Sequence, residues 1–213
     1  MKLEAKSLYC KRGNSEIFSN LSFTINSGEA LIIRGGNGSG KSTLLRTICG
    51  LSPISDGDIL LDDKSFKSEE LQIKNNILFI SHSKCLTDDF TSFENLNYLS
   101  LIANNKIENK EIREALNKFS LEKYSNAKVK SLSEGTKKKI SLCRLITVKR
   151  KLILLDEPYS SLDKAAISIL NNLIKEKLEQ KVIVMITTHQ DFSEKNVFNT
   201  NTLNMEDFNV RSN

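Results

Sequence analysis

The stretch "EALIIRGGNGSGKSTLLRTICG", residues 29–50, constrains this chain more than any other. An apolar run that reads as a strand ends in a glycine-rich turn, and the turn opens directly into a helical segment. The turn fits the pattern G-x-x-x-x-G-K-[ST], with Gly35, Gly40, Lys41 and Ser42 in the fixed places. Glycines let successive backbone N–H groups turn inward around a polyphosphate without Cβ clashes. The helix N-terminus adds roughly half an elementary positive charge there. Gly35, Gly36, Asn37, Gly38, Ser39 and Gly40 therefore read as a phosphate cradle that Thr43 continues into the helix. Lys41 would reach the β- and γ-phosphates, and the Ser42 hydroxyl would take a Mg²⁺ position. This is a nucleotide site, and it requires a strand–loop–helix unit in an α/β sheet.

The rest of the chain can supply that sheet. Strand-like stretches recur at 2–9, 21–26, 29–34, 57–62, 77–81, 152–156 and 182–188. "KLILLD" and "KVIVMITTH" are apolar without alternation, the pattern of central parallel strands covered on both faces by helices. Between about residues 93 and 150 the pattern changes. "FENLNYLSLIANN", "KEIREALNKFS" and "EGTKKKISLCRLITVKR" place apolar residues at three- and four-residue steps and read as helices. The expectation is one domain over 1–213, a mixed or parallel sheet core carrying a helical subdomain inserted between strands.

Composition excludes several alternatives. With 39% hydrophobic and 27% charged residues, the chain has enough apolar surface to fold rather than stay disordered. "LILL" and "VIVMI" fall far short of the roughly 20 residues that cross a bilayer, and "MKLEAKSLYCKRG" lacks a signal-peptide core. A cytoplasmic location is expected. Cys10, Cys49, Cys85 and Cys143 form no C-x-x-C pair and read as reduced core or near-core thiols. The net charge of +5 is concentrated in "EGTKKK" and "TVKRK", which read as solvated helix faces and ends; no nucleic-acid partner is expected.

"KLILLDEP" supplies the partner of the phosphate loop. Asp156 ends a buried strand, where a carboxylate can hold Mg²⁺ through its water shell. Glu157 follows, placed to orient or deprotonate an attacking water, and Pro158 ends the strand. Three further strings narrow the class: "LSEGT" at 132–136, "SSLD" at 160–163 and "TTHQ" around His189. With the phosphate loop, these resemble the ATP-binding cassette (ABC) ATPases in order, spacing and context. The resemblance runs from "LEAKSLYC" to "TTHQ". It implies that the P-loop NTPase fold carries ATP and Mg²⁺, and that Ser133 and the Gly135 N–H serve a second copy's nucleotide in an ATP-sandwich dimer. It further implies that His189 contacts the γ-phosphate and that Asp163 belongs to the loop linking the two halves.

In most such ATPases the strand after the lead-in to the helical core ends in a glutamine; here "FISHSK" places His82 there. An imidazole is a poor Mg²⁺ ligand, so His82 reads as a reporter that hydrogen-bonds to phosphate or to a Mg²⁺-bound water. A haem or metal ligand formed with Cys85 is the alternative. That histidine, "LTDDFTSFENLNYL", "LDEPYSSLD" and the short tail resemble the small ATP-binding subunit of cytochrome c biogenesis, a haem exporter. The resemblance implies membrane-spanning transporter subunits as partners, with a haem chaperone reached through the complex and a peripheral place on the cytoplasmic face of the inner membrane. The surface from His82 to Tyr98 is the expected docking region. Two further positions depart from the family. Thr136 replaces the signature's usual glutamine, and Arg12, judged by its distance from Lys41, replaces the adenine-stacking aromatic, with Tyr9 nearby. An ABC ATPase for another exported substrate remains open. A soluble one acting on ribosomes or DNA would need a second cassette or a coiled-coil insertion. A P-loop kinase or small GTPase would give no reason for "LSEGT" and "TTHQ".

Overall fold

The computed structural model describes residues 1–13, 15–81, 85–189 and 200–208. They divide into two compact units, Met1–Phe79 with Arg150–Glu157 and Lys177–Asn213, and Ile80–Lys149 with Pro158–Glu176.

The first unit holds two sheets. Strands β1 (Lys2–Arg12), β2 (Ser15–Asn26), β4 (Asp56–Leu61) and β5 (Lys64–Ser65) form one, in the order β2-β1-β4-β5 with antiparallel pairing. In β1 the buried positions switch from Leu3 and Ala5 to Leu8 and Cys10. A register shift between Ala5 and Leu8, with Ser7 at φ 47°, changes the phase so that both pairs reach the core. The second sheet runs β6 (Ile77–Ile80), β7 (Leu152–Asp156), β8 (Ile183–Thr187), β3 (Ala30–Arg34), β9 (Thr200–Asn204). β3 pairs in parallel with β8 and β9, and β7 with β8. Every residue of β7 and β8 is buried, as their unbroken apolar runs predict. Helix α1 (Lys41–Ile48) places Leu44, Leu45 and Ile48 in a cluster shared with both sheets, including Phe18, Leu21, Ile33, Leu154 and Met185.

The strand expected at 21–26 begins at Ser15, because β2 pairs with β1 back to Arg12 across the Gly13 turn. β5, β9 and helix α2 (Phe66–Lys74) have no counterpart in the sequence reading. β9, "TNTLN", buries only Leu203; its strand state comes from pairing with β3 rather than from an apolar pattern.

The second unit carries α3 (Ser92–Ile102), α4 (Asn109–Lys118), α5 (Glu134–Leu142), α6 (Arg144–Thr147) and most of α7 (Lys164–Glu179). A capping box starts α3: Thr91 Oγ1 accepts from Glu94 N, and Glu94 accepts from Thr91 N. The continuous helix expected at 134–150 is instead two helices. The Cys143 N–H is shared between Lys139 O and Ile140 O at 3.0 and 3.1 Å, the tightening typical of a helix end, and Val148 is already extended. Cys10, Cys49 and Cys143 are buried as expected, whereas Cys85 is exposed, a correction to its reading as a core or near-core thiol. Among the described residues no helix is long and apolar enough to cross a membrane.

Candidate functional site

Within the first unit, β3 delivers the glycine-rich loop and α1 continues it. Gly40 caps α1 in the left-handed region at φ 94°, and a Cβ there would meet Ile17 Cγ2 at 2.7 Å, so only glycine fits the turn. Lys41 is nearly buried, and its ammonium donates to Gly35 O at 2.7 Å and Gly36 O at 2.8 Å. Burial pulls its pKa below the usual lysine value, against the opposing attraction of Glu157, Asp156 and Glu206.

β7 and β8 bring the acids to this loop. Asp156 Oδ1 accepts from Ser42 Oγ at 2.9 Å and from Thr187 Oγ1 at 2.7 Å. Thr187 is the register partner of Asp156 across the parallel pair, and its Oγ1 also accepts from the Glu157 N–H at 2.9 Å. One hydroxyl thus ties both acidic residues to the end of β8. Glu157 itself sits at φ 47°, a conformation that costs a residue with a Cβ about 1–2 kcal/mol. Strain of this kind persists where the surroundings over-determine it.

His189 closes the arrangement. Its Nε2 lies 2.5 Å from Glu157 Oε1, and its Nδ1 lies 3.3 Å from Lys41 Nζ. An ammonium can only donate, so these contacts fit the tautomer with the proton on Nε2. Lys41, His189 and Glu157 form a continuous hydrogen-bonded chain along a cleft of about 410 Å³, which Arg12, Asn37 and Thr43 also line. The structure therefore brings together Arg12, the loop from Gly35 to Thr43, Asp156, Glu157 and His189. Tyr9 turns its hydroxyl to Glu16 Oε1, 2.7 Å away.

The donor set suits Mg²⁺. Ser42 and Asp156 offer a hydroxyl and a carboxylate oxygen 2.9 Å apart beside the phosphate loop, and the described residues contain no cluster of His, Cys, Asp or Glu that would form an all-protein metal cage. Mg²⁺ is commonly held by one or two such ligands together with substrate phosphates.

In the second unit Ser133 caps α5, accepting from Thr136 N at 3.2 Å, while the two hydroxyls lie 2.8 Å apart. Gly135 packs so tightly that a Cβ would lie 2.9 Å from Ser161 O. Asp163 Oδ2 pairs with Lys139 Nζ at 2.5 Å, and its Oδ1 caps α7 by accepting from Ala166 N at 2.8 Å. Ser133, Gly135 and Asp163 thus belong to one cross-braced corner of this unit. His82 lies outside the described residues. The sequence reading missed Thr187, although "TTHQ" displays it two residues before His189, and it missed Glu206, whose carboxylate accepts from Gly36 N at 3.3 Å. Nothing in the local sequence around Glu206 connects it with the loop.

Comparison with known proteins agrees with this geometry. The ABC transporter family model matches residues 18–160. The chain is 34% identical over 189 residues to the cytochrome c biogenesis ATP-binding export protein CcmA of Nitrosomonas europaea, covering 89% of each. It is 36% identical over 189 residues to the protein of the same name from Vibrio cholerae, covering 89% of this chain and 91% of that one. An ABC transporter ATP-binding protein from Pyrococcus furiosus shares the fold with a TM-score of 0.84 at 23% identity, over 99% of this chain and 100% of its own. A dimeric ATP-binding cassette in a post-hydrolysis state, bound to ADP and Pi, shares it with a TM-score of 0.82 at 24% identity, over 95% of this chain and 94% of its own. The phosphate loop, its paired acids and these relatives lead to one conclusion: the chain belongs to the ABC transporter family, among its cytochrome c biogenesis ATP-binding export proteins.

Proposed function

We propose that this chain hydrolyses ATP to drive a membrane complex that handles haem during c-type cytochrome maturation, either moving haem or releasing a haem-loaded chaperone. The observation that carries the ATPase reading is the convergence of Lys41, Ser42, Asp156, Glu157 and His189 on one cleft. Backbone N–H groups of the loop and Lys41 hold the phosphates and neutralise charge that develops on them. Glu157 accepts a proton from the water that attacks the γ-phosphorus as the bond to the leaving ADP oxygen breaks. His189 holds Glu157 in place and meets the γ-phosphate. Ser42 and Asp156 would hold Mg²⁺, which would supply charge neutralisation at the phosphates. Arg12 stacks its guanidinium on the adenine.

Ser133 and the Gly135 N–H form an anion-binding helix start that serves the ATP of a second copy, with Asp163 in the loop linking the halves. Two copies close around two ATP molecules and separate after hydrolysis, and His82 and the surface to Tyr98 pass that change to membrane-spanning subunits. The chain therefore works at the cytoplasmic face of the inner membrane. The haem assignment rests on the likeness to the cytochrome c biogenesis export proteins.

The tagged Glu157→Gln protein tests both levels. With saturating Mg-ATP it should form a stable dimer by light scattering, with turnover reduced about 10²–10⁴-fold. A protein that stays monomeric counts against the sandwich. Recovered from its own membranes in mild detergent, it should bring multi-span subunits together with a haem-absorbing protein. Membrane subunits without haem proteins would move the function to another exported substrate, and ribosomal or DNA partners would overturn the transporter reading.

A further inference from the structure

Gly36 is held from both sides. Its carbonyl accepts the Lys41 ammonium at 2.8 Å, and its N–H donates to Glu206 Oε1 at 3.3 Å. A single residue therefore joins the key lysine of the phosphate loop to a carboxylate more than 160 positions further along the chain.

The acid is placed there by the fold. β9 runs parallel to β3, with Arg34 opposite Asn204, so both strands end level with the loop. The next residue, Met205, is fully buried against the loop, where its side chain would lie 3.2 and 3.5 Å from Cβ atoms on Gly35 and Gly40. Glu206 N then donates to Asn204 Oδ1 at 3.2 Å at the start of a 3₁₀ turn, Met205–Phe208. Its carboxylate faces a second cleft of about 490 Å³, which shares His189 with the first and adds Arg34 and Thr188.

A negative charge beside an anion cradle opposes phosphate binding. A neutral side chain could make the hydrogen bond to Gly36 equally well, so the bond alone does not call for an acid. We propose that Glu206 is a positioning residue of the nucleotide site, whose hydrogen bond fixes the Gly36 peptide while its charge, competing with phosphate for Lys41, holds nucleotide affinity down and speeds product release. This rests on the nucleotide reading of the loop given above.

The test is Mg-ADP binding by calorimetry on the full-length protein, as wild type, Glu206→Gln and Glu206→Ala, across a range of NaCl concentrations. Glu206→Gln keeps an acceptor for Gly36 and removes the charge. It should tighten Mg-ADP binding about three- to tenfold at low salt, with the gain shrinking as salt screens the field. Glu206→Ala should show a similar gain but faster hydrogen exchange at the Gly36 amide, which Glu206→Gln leaves protected. A purely structural role would not produce a salt-dependent gain in affinity. Unchanged or weaker binding by Glu206→Gln overturns the charge role, and equal Gly36 exchange in both variants overturns the positioning role. A wild-type protein that binds no Mg-ADP would overturn the nucleotide reading, and this proposal with it.

Discussion

Replacing Thr187 with valine isolates the hydroxyl that joins Asp156 and Glu157. Thr187 is fully buried, and valine preserves its shape, so the change opens no cavity. It removes the bond to Asp156 Oδ1 at 2.7 Å, a contact to a carboxylate worth about 1.5–3 kcal/mol. It also deprives the Glu157 N–H of its acceptor at 2.9 Å, a further cost of about 1–3 kcal/mol if water does not replace it. Neighbouring terms do not add in full, so a net loss of about 3 kcal/mol is expected. With a urea slope of about 2–3 kcal/mol/M, the unfolding midpoint should fall by about 1 M. ATP turnover should fall about ten- to a hundredfold, because Glu157 loses the tie that fixes its strained backbone. Thr187→Ser, which keeps the hydroxyl and loses a methyl, should retain most of the turnover. A valine variant with wild-type turnover, or one that outperforms the serine variant, refutes the reasoning.

Three other expectations follow from the geometry. Gly135→Ala forces a Cβ to within 2.9 Å of Ser161 O and should cost about 1–3 kcal/mol in urea unfolding; an unchanged midpoint contradicts that packing. Native protein should present one thiol to Ellman's reagent, that of Cys85, and four after unfolding, because Cys10, Cys49 and Cys143 are buried and burial drives the Cys49 thiol up to about 12; rapid reaction of a second native thiol refutes this. Lys139 and the Ala166 N–H hold the Asp163 carboxyl below its ordinary 3.8, so its contribution is complete above that value and is lost as pH falls through the lowered one. Carboxyl NMR should place its midpoint below 3.8 in the wild type and higher in Lys139→Met, and an equal midpoint in the two would contradict the pairing.

What the sequence made legible was what lies in contiguous strings. The phosphate loop needs its residues side by side, and β7 and β8 are buried throughout, so both were readable from local pattern. Asp156 ends β7, Glu157 follows it, and His189 lies two residues beyond β8, so each is legible from the apolar run before it. What escaped was non-local. Thr187 acquires its role by lying opposite Asp156, and Glu206 by ending a strand beside β3. β9 has too few apolar residues to announce itself, and the break at Cys143 arises where its N–H is shared between two carbonyls rather than from a glycine or proline.

The position of β3 between β8 and β9 also has a consequence for biosynthesis. Ala30 pairs with Val184 on one side and with Thr200 on the other, so the strand that presents the phosphate loop leaves the ribosome long before either neighbour exists. At about 5–20 residues per second, the emerging chain carries that loop unsupported for roughly 10–30 s. Nucleotide competence is then a property gained only once β8 and β9 have been made. A message truncated before the codons of β8 would yield a product that retains the whole glycine-rich motif but could not build the sheet that shapes it.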